Sequence, residues 1–296
     1  MADRPRRTRG RRTDRLWIGL MIGLPTLLVV GLVWLPALAT VALSFTQWDG
    51  IGPVSSAEFV GLRNYEDVAT IYPPFWPAVT HNLIWFGAMF LVATPLGVLL
   101  AVLLDRELRG SRVYQAAFFM PVVLSLALVG FIWQLIYSRD QGLINSLTGS
   151  EIDWYGDPSV NLWAALVASG WRHTGYIMLL YLAGLKSVDP SLREAARIDG
   201  AGEGALFFRV VFPVMKPVNL IVMVVTVIES LRAFDMVWVI NKGRNGLELM
   251  STLVTGNIVG EASRIGFGSA LATLMLLVST AFIAVYLRAT VKDGTE

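Results

Sequence analysis

The chain has no cysteine and only two histidines, His81 and His173. The first absence rules out disulfides, thiolate zinc sites and a cysteine nucleophile. The second leaves no histidine-rich metal site, because the two histidines sit in different apolar segments without ligand-like spacing. Charge is scarce too: 16% of residues are Asp, Glu, Lys or Arg, against about 25% in a soluble domain. Apolar residues make up 55% of the chain, and the mean hydropathy is +0.59. That balance reads as a polytopic membrane protein. The net charge of +2 says little by itself; its distribution carries the information.

Six segments are long and apolar enough to span a bilayer, approximately Leu16–Phe45, Pro77–Leu104, Tyr114–Tyr137, Leu162–Leu185, Val218–Ile240 and Gly266–Leu287. Each spanning helix needs roughly 20 residues, so the expected fold class is all-α with six transmembrane helices. Pro25 and Pro36 interrupt the first segment and Pro95 the second. Kinks are expected there, because proline lacks a backbone donor. The first segment is too long for a cleaved signal peptide and has no small-residue cleavage site. Arg11-Arg12 is followed by Thr13-Asp14-Arg15, a poor continuation for a twin-arginine signal. The organisation read from this is a basic tail over 1–15, a first helix and external loop over 16–76, a five-helix core over 77–287, and a short tail over 288–296.

Lys and Arg in the short connections set the orientation. The N-terminal tail holds Arg4, Arg6, Arg7, Arg9, Arg11, Arg12 and Arg15, and the next loop on that side Arg106, Arg109 and Arg112. The loop after the fourth segment adds Lys186, Arg193, Arg197, Arg209 and Lys216, and the C-terminal tail Arg288 and Lys292. The three opposite loops hold Arg63, then Arg139, then Lys242, Arg244 and Arg264. Both termini and the loop over 189–213 are therefore expected in the cytoplasm. The basic tail serves topology and contact with anionic lipid rather than nucleic acid.

The loop over 189–217, DPSLREAARIDGAGEGALFFRVVFPVMKP, is the most informative stretch. Asp189 suits an N-cap and Pro190 the first helical position. Leu192, Ala195 and Ala196 share one face at i, i+3 and i+4, and Arg193 and Arg197 lie on a polar one. Gly200 is placed to end the helix in a left-handed conformation. A second short helix is expected from about Glu203 to Phe212, before Pro213 turns the chain. Two small alanines let a partner surface approach closely. Taken alone, the segment fits either an amphipathic connector lying on the membrane or a helix received by a partner.

Charges inside the apolar segments mark candidate pathway residues, because each costs around 2.5–3.5 kcal/mol near the bilayer centre. Glu229, Arg232 and Asp235 are spaced i, i+3, i+6 in the fifth segment. They read either as a structural ion-pair set or as groups facing a substrate. Trp171, Arg172, His173 and Tyr176 in the fourth segment combine aromatic faces with polar groups. That combination suits sugar rings, and it equally suits packing.

The spacing Glu194-Ala195-Ala196, Gly200, then Val210-Val211-Phe212-Pro213 resembles the EAA loop of the membrane-spanning subunits of bacterial ABC importers. Arg197-Ile198-Asp199-Gly200-Ala201 resembles the continuation found in carbohydrate-type, maltose- or glycerol-3-phosphate-like permeases. Ala183-Gly184-Leu185 with Pro190 is similar to the family's run at the end of the preceding span. Phe59-Val60-Gly61-Leu62-Arg63-Asn64-Tyr65, Phe234-Asp235 with Val237-Trp238-Val239-Ile240, and Gly266-Phe267-Gly268-Ser269-Ala270 resemble further family motifs, in the right order over most of the chain. Val210 and Phe212 replace the usual Ile and Leu, and Asn241-Lys242-Gly243 replaces a Thr-Gly-Gly-like run.

The resemblance implies the type I importer permease fold. It also implies that Glu194, Ala195, Ala196, Arg197, Asp199, Gly200 and Pro213 couple the chain to an ATPase. The implied partners are a second related permease, two ATP-binding subunits, an extracytoplasmic solute-binding protein and the lipid bilayer of the bacterial cytoplasmic membrane. ATP and Mg would belong to the ATPase, with no cofactor on this chain. The implied substrate is a sugar or oligosaccharide, with glycerol 3-phosphate or a glycerophosphodiester as the alternative. The chain encodes no ATPase of its own: Gly184-Leu185-Lys186-Ser187 mimics the end of a P-loop, but Leu179 stands where the pattern requires glycine. An ion-driven transporter would show internal repeats or broken half-helices, and the halves share no motif. An intramembrane enzyme would need a nucleophile–base or metal constellation, and none is present.

Overall fold

Backbone N–H and C=O groups inside lipid must be satisfied within the chain, and helices do this segment by segment. The computed structural model describes residues 12–106, 109–260 and 263–292, and it is almost wholly helical. The basic residues through Arg11 lie outside the described residues, as do the last four of the C-terminal tail. Among the described residues the only strand pairing is a short antiparallel ladder, with Thr46 opposite Phe59 and Gln47 opposite Glu58.

Among the described residues, three helices are long and apolar enough to cross a membrane: Leu16–Leu43, Phe75–Asp105 and Ile265–Arg288. Two bent pairs would each make one more: Ser111–Val123 with Leu126–Ile136, bent by 103°, and Glu203–Val214 with Lys216–Asn241, bent by 79°. Helix Asn161–Ser187 has 27 residues, about 40 Å at 1.5 Å per residue. It is less apolar than the others but central, with half of its residues buried by its neighbours.

Two of the six expected spans are therefore not continuous helices. The third breaks at Leu124 and Ser125, just after Pro121, and the Ser125 hydroxyl caps the new helix by accepting from the Leu128 N–H at 3.2 Å. The fifth breaks between Leu231 and Asp235. No proline or glycine marks that break. One tertiary contact holds it, the Ser251 hydroxyl donating to the Ala233 carbonyl, and one local contact, Phe234 stacked on Trp238 with ring centroids 5.1 Å apart.

Proline leaves a consistent local signature. Turns of π-helix run over Val30–Trp34, Met89–Ala93 and Phe207–Val211. Each ends two residues before a proline: Pro36, Pro95 or Pro213. The proline ring crowds the carbonyl four residues back, and the wider turn makes room for it without breaking the helix. Pro25 is carried inside a helix that continues to Val29.

Besides a cluster of Val68, Phe75, Leu253, Phe267 and Leu271 on the last helix, packing concentrates in two clusters. One gathers Trp85, Leu166, Val237 and Leu249 around the helix break at 232–234. The other gathers Ala101, Ile177, Leu185, Ala196 and Val222 at the end of the bundle that carries the loop. The second and fourth spans approach closely because Gly97 has no side chain. A Cβ there would stand 2.8 Å from the Thr174 carbonyl oxygen. Small residues at such crossings let membrane helices gain dispersion contacts that lipid does not supply. None of the first span's apolar window is buried, and its second half packs chiefly on the last helix.

Candidate functional site

The loop helix runs over Pro190–Ile198 and is built by local chemistry at both ends. The Asp189 carboxylate accepts from the Ser191 N–H at 2.9 Å. That hydrogen bond holds its carboxyl below the usual aspartate range. The cap is therefore in place at neutral pH and is lost as pH falls through this lowered value. At the other end Gly200 has φ +81°. The Gly200 N–H donates to the Arg197 carbonyl and the Ala201 N–H to the Ala196 carbonyl, both at 3.0 Å. This is the paired Schellman pattern that closes a helix on a left-handed residue.

The face expected to be uniform is divided. Ala196 is buried against the spans, whereas Leu192, Glu194, Ala195, Arg197, Asp199 and Gly200 are exposed. Ile198 is 86% exposed. Pro213 is exposed in the elbow formed by Glu203–Val214. The elbow's bend is tied by Asn219, which donates to the Phe212 carbonyl at 2.9 Å and accepts from the Tyr181 hydroxyl at 2.8 Å. Arg193 donates to Asp105 at 2.7 Å and to the Leu185 carbonyl at 2.6 Å. Glu203 pairs with Arg106 at 3.1 Å and with Arg197 at 3.4 Å.

A cavity of about 160 Å³ lies between the second, fourth and fifth spans. Arg172, His173, Glu229, Arg232, Phe234 and Asp235 line it. Arg172 pairs with Glu229 at 3.7 Å. His173 is buried, with Nε2 3.4 Å from the Thr94 hydroxyl and 3.3 Å from that of Thr226. The helix break separates Arg232 from Asp235, so the even i, i+3, i+6 stripe ends at Arg232. Among the described residues, the ion pair at this site runs from the fifth span to the fourth, not along the fifth. Glu229, Arg232 and Asp235 are all exposed in the single chain. Trp171 and Tyr176 lie outside the cavity lining. Trp171 packs edge-on against Trp133 at 5.9 Å in the first cluster, and Tyr176 packs on the second.

Residues that sequence reasoning did not single out complete the picture. Asn82 donates to the Ser230 carbonyl at 3.1 Å and accepts from the Met250 N–H at 2.9 Å, fixing the fifth span beside its break. Asp105 and Glu203 hold the loop. Their signal was weak: lone acids beside basic loops, with partners far away in sequence.

Comparison with known proteins places this geometry. The family described as "binding-protein-dependent transport system inner membrane component" matches residues 93–292. The chain belongs to this family. The permease is 30% identical over 276 residues to the trehalose/maltose transport system permease protein of Thermococcus litoralis, covering 92% of each chain. It is 31% identical over 264 residues to the xylose/arabinose import permease protein of Haloferax volcanii, covering 86% of this chain and 81% of that one. Its fold matches a chain from the crystal structure of a bacterial ABC transporter involved in import of the acidic polysaccharide alginate. The TM-score is 0.80 at 16% identity, with 95% of this chain and 96% of that one covered. The permease thus has the type I importer fold, and it is a transport component rather than an enzyme.

Proposed function

We propose that this permease forms half of the pathway for a sugar or oligosaccharide, delivered by an extracytoplasmic binding protein and driven by separate ATP-binding subunits. One observation carries the coupling half of this reading: a rigidly capped helix, Pro190–Ile198, presents Ala195 and Ile198 outward while Ala196 anchors it to the spans. A helix merely resting on lipid needs neither two fixed ends nor a charged clamp to the bundle. ATP and Mg²⁺ act on the ATPase, and this chain supplies the surface that the ATPase moves.

A second permease subunit follows from the open face of the cavity. Glu229, Arg232 and Asp235 are exposed in the single chain, and charges facing lipid are costly. A partner that closes this face turns it into a water-filled path between subunits. The sugar assignment draws on relatives whose names specify trehalose, maltose, xylose and arabinose. It also fits a cavity that offers both carboxylates and guanidiniums to hydroxyl groups. Calorimetry of the cognate binding protein against a panel of sugars, glycerol 3-phosphate and glycerophosphodiesters tests it. Binding of a sugar alone is expected, and binding of a phosphodiester alone would overturn the substrate class.

The charge asymmetry supports a cytoplasmic location for the loop and both termini. The natural chain has no cysteine, so single cysteines report without background. Ser191→Cys and Thr8→Cys are expected to react with impermeant thiol reagents only from the cytoplasmic side, and Ser55→Cys and Ser150→Cys only from outside. The reverse pattern would contradict both the orientation and the docking of the loop.

A further inference from the structure

Arg193 makes more of its side chain than a surface arginine needs to. Its side chain is 25% exposed and that of Asp105 only 16%. One terminal nitrogen donates to Asp105 at the end of the second span, and the other donates to the Leu185 carbonyl near the end of the fourth. Its Nε is buried without a partner. The guanidinium fork is thus held between two spans. A charge-assisted bond of 2.7 Å between poorly exposed groups is a strong contact. The neighbouring pairs of Glu203 to Arg106 and Arg197 join side chains that are 53–58% exposed, and exposed pairs contribute little.

Two routes lead out of the loop helix. Downstream, the chain reaches the fifth span through Gly200, Gly202, Gly204, a π turn and a 79° bend that Asn219 ties to Tyr181 of the fourth span. Upstream, Val188 and Asp189 join the helix directly to the fourth span, but a two-residue link does not fix an angle. Arg193 fixes it, and it adds the second span to the same body. The second and fourth spans are already in close contact where Gly97 meets Ile177. The fourth span then carries Arg172 and His173 into the cavity, where Arg172 meets Glu229 of the fifth.

We propose that Arg193 is a positioning residue that latches the loop helix to the second and fourth spans, so that displacement of the helix by the ATPase reaches the cavity. The proposal rests on the docking of this helix on the ATPase put forward above. It assigns Arg193 no contact with substrate or nucleotide. Lysine at this position would keep the charge but lose the fork, and so could hold one span and not both.

The test uses the full transporter with its partner permease, ATPase and binding protein, reconstituted in nanodiscs. Ile198→Cys, on the exposed end of the helix, reports docking by its cross-link to the ATPase. Ser169→Cys, in the cavity lining, reports the cavity by its rate of thiol labelling with and without ATP plus vanadate. In the otherwise natural permease the cross-link forms and nucleotide changes the labelling rate. In Arg193→Gln the cross-link is expected to persist while the nucleotide-dependent change shrinks by roughly 2- to 30-fold, the range for residues that carry coupling between sites. Arg193→Lys should fall between the two. The exchanged pair Arg193→Asp with Asp105→Arg should recover part of the change. An undiminished labelling change in Arg193→Gln would overturn the latch. Loss of the cross-link in Arg193→Gln would overturn it as well, because Arg193 would then serve only to hold the loop's local fold. Absence of the cross-link before any change at Arg193 would contradict docking itself, a separate failure.

Discussion

Gly200→Val is expected to abolish stimulated transport while the permease still inserts in the membrane. Gly200 has φ +81° and sits at the C′ position of the loop helix. A Cβ there would meet nothing within 4 Å, so the cost is backbone conformation alone. The left-handed region costs an ordinary residue about 1–2 kcal/mol, and a branched side chain is a worse occupant still. The valine variant relieves this by leaving the region, and both bonds that close the helix, from the Gly200 and Ala201 N–H groups, are then lost. The helix end turns away from Glu203, which holds both Arg197 and Arg106.

Hydrolysis of ATP stimulated by the loaded binding protein should fall on the order of tenfold or more, since about 1.4 kcal/mol of lost docking energy is a factor of ten. Gly200→Ala should fall less. Ala195→Trp tests the same surface differently, because Ala195 is exposed and the helix can fold with the larger side chain in place. Its loss of stimulation would report a clash with the receiving surface. Unchanged stimulation in both Gly200→Val and Ala195→Trp would contradict docking.

The second large effect is expected at the cavity. Arg172→Gln leaves Glu229 without its 3.7 Å partner. Breaking a fully buried pair by removing one member costs about 3–5 kcal/mol. Here the side chains are 23% and 48% exposed, so a loss of about 1–2 kcal/mol is expected after allowing for solvent. The double variant Arg172→Gln with Glu229→Gln should recover most of the assembled complex, since no lone charge remains. Arg232 behaves differently, because it lines the cavity without an ion pair among the described residues. Arg232→Gln should assemble normally and reduce uptake alone. Complex yield and uptake, read separately, check all three. Poor assembly of Arg232→Gln together with rescue by Asp235→Asn would restore a pairing along the fifth span and contradict this assignment.

The loop helix was legible in the sequence because its ends are set by residues next to it. Asp189 caps its own helix, Pro190 fits the first turn, and Gly200 supplies a conformation that other residues resist. The proline turns were legible for the same reason, although their form was not: the helices widen into π turns before Pro36 and Pro95 instead of breaking, and the π turn before Pro213 leads into the 79° bend. The break at Arg232–Phe234 was not legible. It contains no breaker, and it is held by Ser251, which reaches it only in the folded chain. Apolar periodicity runs straight through it, so Arg232 and Asp235 looked like one stripe. The pairing of Arg193 with Asp105 joins residues 88 apart in the chain. Sequence showed a polar face at Arg193 but not what that face meets. Trp171 and Tyr176 pack outside the cavity lining of this chain, and aromatic type alone does not separate a pathway residue from a packed one.

The most direct test of the account is uptake by the complete transporter in sealed proteoliposomes, with ATP trapped inside, binding protein and its sugar added outside, and ion gradients collapsed by ionophores. The account predicts accumulation that requires internal ATP and external binding protein, survives the ionophores, and disappears with Gly200→Val. Accumulation that proceeds without ATP and stops when the ion gradients are collapsed would contradict it.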